Sequence, residues 1–104
     1  MQPNHNTLII AQAIKGQLQN YKHGVFLAEI RERIAKDIGK FSETMARLSG
    51  IKMSADEKRV IELARMYASD AGAWLQKGDY YTAFSSISYA HGLADAILKI
   101  KGME

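Results

Sequence analysis

The chain has no cysteine and one proline, Pro3, among its 104 residues. Without cysteine there is no disulfide framework, no thiolate nucleophile and no cysteine-ligated metal. With Pro3 near the start, the rest of the chain is free of the strongest helix breaker. Charge of one sign is not concentrated either. The net charge is +3, and Lys and Arg alternate with Asp and Glu, so the basic stripe that nucleic-acid recognition uses is missing. Near the N-terminus Leu8-Ile9-Ile10-Ala11 is cut by Gln12 and has no Lys or Arg before it. A signal peptide needs a basic start and a longer apolar stretch, and a membrane span needs about 20 apolar residues. Neither is expected, and a cytoplasmic location is. No glycine-rich phosphate loop and no His-Glu-x-x-His zinc motif occurs in the sequence.

What is present is an ordinary globular composition, 47% apolar and 24% charged, in a length that suits a single domain with a modest core. Apolar residues recur every three or four positions, and two-residue alternation does not persist, so the fold class is all-α. One stripe runs Leu27, Ile30, Ile34, Ile38, Phe41, Met45, Leu48 and stops at Ser49-Gly50. Ser54-Ala55-Asp56-Glu57 reads as a capping box, with Ser54 accepting from the Glu57 amide while Glu57 reaches back. The next stripe is Val60, Ala64, Tyr67, Ala71, Trp74, closed by Gly78. Asp79 then caps the last helix, whose first stripe is Tyr80, Phe84, Ile87, His91, Ala94, Leu98.

So short a hinge makes the last two helices antiparallel neighbours. Folding there sets Ala71 near Phe84, Ala68 near Ile87 and Ala64 near His91. Small residues at four-residue spacing (Ala64, Ala68, Gly72 and Ser88, Gly92, Ala96) suggest a close seam between the two. The last helix carries a second apolar row, Tyr81, Tyr89, Leu93, Ile97, Ile100, so it needs cover on both sides. The helix from Leu27 to Leu48 supplies one cover. An N-terminal helix with Ile10, Ile14, Leu18 and Tyr21 on one face, closed near His23-Gly24, can supply another, the alternative being a continuous helix through Gly24. The expected architecture is an up-down three-helix bundle with an antiparallel C-terminal hairpin and an extra N-terminal helix. Residues 1–24 form the helical extension and residues 25–104 the bundle.

The run from Ala71 to Phe84, with its Leu75-Gln76-Lys77-Gly78-Asp79-Tyr80 hinge, continues into Tyr89-Ala90-His91-Gly92-Leu93-Ala94-Asp95-Ala96. Together these resemble a family of short archaeal helical proteins, domain-of-unknown-function family 357. The resemblance covers roughly residues 27–101. It implies a small three-helix bundle of no established activity, and it offers no catalytic residues to carry over.

His91 and Asp95, one turn apart, could share a metal. Two ligands do not close a site, however, and the paired Glu-x-x-His pattern of di-iron bundles is absent. The expected reading is a core histidine bonded to the Tyr67 hydroxyl, with Asp95 holding its tautomer. No metal or cofactor is expected. Ser85, Ser86 and Ser88 lie within a helix without a positioned base or oxyanion hole, so no enzyme is expected. Trp74 and Tyr80 fall on core stripes, whereas Tyr81, Tyr89 and Leu93 are the candidate partner surface. The expected function is a non-catalytic interaction module, with a homodimer as its simplest form or another protein as partner. The alternative is a nucleic-acid accessory role for Arg31, Arg33, Lys36, Lys40 and Arg47, weakened by the interleaved Glu29, Glu32, Asp37 and Glu43.

Overall fold

The computed structural model describes residues 4–18 and 23–103, with no side-chain description for residues 13–18 and 23–26. Four helices follow one another: α1 (His5–Leu18), α2 (His23–Leu48), α3 (Ala55–Gln76) and α4 (Tyr80–Ile100). No strand occurs among the described residues. The architecture is the all-α one expected, with the N-terminal helix added to a three-helix bundle. The boundary differs from the one expected. Gly24 lies in the first turn of α2 and does not close α1. Tyr21 and the side chains of Ile14 and Leu18 fall outside the described residues.

Helix ends are set by local chemistry. Asn4 caps α1, its Oδ1 accepting from the Thr7 amide at 2.8 Å. The capping box of α3 is complete: the Glu57 amide donates to Ser54 Oγ at 3.1 Å, and the Ser54 amide donates to Glu57 Oε1 at 2.8 Å. At the hinge, Gly78 takes φ +80°. The Gly78 amide donates to the Leu75 carbonyl and the Asp79 amide to the Trp74 carbonyl. This is a Schellman motif, which satisfies two carbonyls that the end of α3 would otherwise leave open. Asp79 then accepts from both the amide and the hydroxyl of Thr82. The sequence thus stops one helix and starts the next within three residues.

The core is assembled around α4. Ile34, Ala64, Ala71, Ala83, Ile87, Ala90 and Ala94 are fully buried, with Phe41, Met45, Leu48, Ile61, Ile97 and Leu98 nearly so. The hairpin register matches the expected one, since Tyr67 meets Tyr89 and Glu57 meets Lys101 at the far end. The assignment of the two apolar rows is reversed. Tyr80 borders a cleft with Leu27, Ala28 and Arg31 of α2, and His91 bonds to α2, so the first row faces α2. The second row faces the hairpin partner through Tyr89. Either row fits either neighbour by periodicity alone, and only the packing decides.

Ser85 is 0% exposed although it stands about 200° around the helix from buried Ala83, at 100° per residue. Something must cover that outer face. The remaining helix that packs on α4 is α1, whose Thr7 is buried. The expected double cover of α4 is therefore present. The seam of small residues is not the one expected. Gly72 and Gly92 have open space where a Cβ would sit, and Gly92 and Ala96 are exposed. The fully buried small residues are Ala64 and Ala71 on α3 and Ala83, Ala90 and Ala94 on α4.

Candidate functional site

His91 is half-buried on α4, and its Nε2 lies 2.7 Å from the main-chain carbonyl oxygen of Asp37. A carbonyl only accepts, so Nε2 carries the proton and the imidazole donates. The rings of Phe41 and His91 meet edge to face, with centroids 5.8 Å apart at 84°. His91 therefore ties α4 to α2. The expected bond to Tyr67 is not formed, because His91 stands on the row facing α2 while Tyr67 faces the other row. Asp95 is exposed, and the Asp37 carbonyl is what fixes the tautomer. Tyr67 packs edge-on to Tyr89, with centroids 4.5 Å apart. Burial pushes the Tyr67 phenol above its ordinary pKa, and Tyr89 and Asp70 add to the rise. The three residues of the expected cluster are thus divided between two helix contacts. Among the described residues, no group of three or more His, Asp or Glu side chains is placed to hold a metal ion.

Of the expected partner surface, Tyr89 and Leu93 pack against the core cluster, and Tyr81 is half-buried. They do not stand free. More exposed apolar groups lie alongside them, and the sequence reading missed these on α3. With Tyr67 opposite Tyr89, one further turn brings Leu63 level with Leu93. Leu63 is 36% exposed, Met66 54% and Ile100 65%. By helix periodicity Leu63 lies level with Leu93 on the outer side of the hairpin, with Met66 about one turn toward the hinge and Ile100 about two turns the other way. A second apolar period on α3 at Leu63 and Met66 was the signal available in the sequence.

Four of the five basic residues share one face of α2. Arg33, Lys36, Lys40 and Arg47 fall within an arc of about 60° on α2, with Arg31 more than about 120° away. Glu29, Glu32 and Asp37 line one cleft together with Arg33, Lys36 and Lys40. Arg47 is engaged elsewhere, donating from Nη2 to the Met103 carbonyl at 2.8 Å. Beside it, Lys101 Nζ lies 2.7 Å from Glu57 Oε1, with both side chains largely shielded. Lys101, and then the Ser54 amide, hold the Glu57 carboxyl below its ordinary pKa. These bonds tether the end of α4 to the start of α3 and the end of α2. Among the other expected candidates, Ser85 donates to the Tyr81 carbonyl at 2.8 Å within its own helix, and half-buried Trp74 carries Lys77 Nζ 4.9 Å above its ring.

No helix among the described residues is long and apolar enough to cross a membrane. Residues 36–102 match the family described as Protein of unknown function (DUF357), and the chain belongs to that family. The matched span takes in the second half of α2 and all of α3, the hinge and α4, and leaves α1 outside. None of the curated proteins compared with the chain matches it.

Proposed function

We propose that this member of the family is a non-catalytic interaction module that self-associates through the outer side of its α3–α4 hairpin. The observation that carries this reading is the exposure of Leu63, Met66 and Ile100 beside Leu93 on that side. Scattered exposed apolar residues are ordinary on a folded protein, whereas a grouped set bordered by polar residues marks an interaction surface. Tyr89 and Leu93 sit half-buried at its inner edge, giving a partner a rigid floor. Rigid apolar anchors of this kind supply most of the binding energy in protein interfaces.

The test is light scattering on the parent chain and on Leu63→Lys/Ile100→Lys. Both positions are exposed, so the variant should keep its helical circular dichroism. The parent should be a dimer and the variant a monomer. A parent that stays monomeric at all concentrations counts against self-association.

Nucleic-acid binding through α2 is the weaker reading. The cleft that holds Arg33, Lys36 and Lys40 is lined equally by Glu29, Glu32 and Asp37, which offsets the field a phosphate backbone would need. A gel shift that weakens with added salt and is abolished by Lys36→Glu/Lys40→Glu would reverse this ranking.

A further inference from the structure

The α2–α3 side of the bundle carries a groove of about 460 Å³. Its base is Ile38, Phe41 and Met45 of α2 with Ala68 of α3, and its mouth carries Ser42, Ser69 and Arg65. Phe41 and Met45 are themselves core residues, 4% and 7% exposed, so the floor is held in place by the fold. The groove is open to solvent along its length, and its volume falls in the range of ligand sites, roughly 300–1,000 Å³.

The charge in the groove is of one sign. Arg65 is exposed and is not part of either ion pair among the described residues, which are Arg59–Asp56 and Lys101–Glu57. No Asp or Glu lines the groove, in contrast to the neighbouring cleft on α2. A single guanidinium at the mouth of an apolar floor is complementary to an anion with an apolar tail. A carboxylate suits the planar fork of arginine, which it can accept from in bidentate fashion. The two serine hydroxyls leave room for its remaining hydration. The floor from Ile38 to Met45 is about 10 Å long at 1.5 Å per residue. An extended alkyl chain of about eight carbons covers that length.

We propose that the groove between α2 and α3 binds an aliphatic carboxylate, with Arg65 holding the head group and Ile38, Phe41 and Met45 the chain. This site does not depend on self-association.

The test is an NMR titration of the full chain with decanoate, with decanol and decyltrimethylammonium as controls. Decanoate should give saturable shifts confined to Ile38, Phe41, Met45, Ala68 and Arg65, and Arg65→Gln should weaken binding tenfold or more. A second variant, Ser42→Phe, places a ring over the groove from an exposed position and should abolish binding with the charge intact. The proposal is overturned by an absence of saturable shifts. It is equally overturned if decanol binds as well as decanoate, if Arg65→Gln has no effect, or if the shifts fall on Leu63 and Ile100.

Discussion

Replacing His91 by Ala removes two interactions that join α4 to α2, and the structure sets the size of the loss. The bond from Nε2 to the Asp37 carbonyl contributes about 1 kcal/mol net. The edge-on contact with Phe41 adds about 0.5–1.5 kcal/mol. The Asp37 carbonyl lies within α2 and still accepts its own helical bond, so no buried acceptor is left unsatisfied. The expected total is about 2 kcal/mol, or a fall in melting temperature of roughly 8–16 °C for a domain of this size. His91→Phe keeps an aromatic ring and loses only the hydrogen bond, so it should cost about 1 kcal/mol. Urea denaturation of the parent, both variants, Phe41→Leu and the His91→Ala/Phe41→Leu double variant provides the measurement. The double-mutant cycle should return a coupling of about 0.5–1.5 kcal/mol between positions 41 and 91. A His91→Ala variant as stable as the parent, or a coupling of zero, would refute the structural role. The same protein should bind transition metals no differently from the parent.

Glu57 titrates below its ordinary value because Lys101 and the Ser54 amide stabilise the carboxylate. A carboxyl whose folded pKa is depressed adds stability above its unfolded pKa and loses it as pH falls through the folded one. The stability gap between the parent and Glu57→Gln should therefore be present at neutral pH and close at and below the ordinary glutamate range, as read by urea denaturation at several pH values. Asp79→Ala removes the cap on α4 and should cost about 1 kcal/mol, and an unchanged melting temperature would contradict the cap. Gly92→Ala meets open space within an exposed stretch of helix, so it should stabilise the fold by about 1 kcal/mol. A loss of stability there would restore the close-packed seam.

The parts of the fold that were legible in the sequence are those fixed locally. Ser54 and Glu57 announce a helix start within four residues, and Gly78-Asp79 dictates a turn whose backbone bonds leave little choice. The hinge in turn set the register that brings Tyr67 to Tyr89. What was not legible depends on which neighbour a face meets. The row containing His91 and the row containing Tyr89 have the same period, and nothing in either says which of α2 or α3 lies opposite. That single ambiguity misplaced the partner of His91 and made Gly92 look like a packing residue. Leu63 and Met66 were overlooked for a related reason. They lie off the main stripe of α3, and an apolar residue outside the core gains meaning only once Leu93 and Ile100 are seen beside it. The groove near Arg65 was hidden because its floor belongs to the core stripe of α2 and its arginine to a different helix.

The proposed self-association brings two copies together at the outer side of the hairpin. It is tested most directly by isotope-filtered NOE spectroscopy on a mixture of labelled and unlabelled chains. Intermolecular contacts are expected from the methyl groups of Leu63, Met66, Leu93 and Ile100. Intermolecular contacts that arise instead from the α2 face, or none at concentrations where the mass is that of two chains, would contradict it.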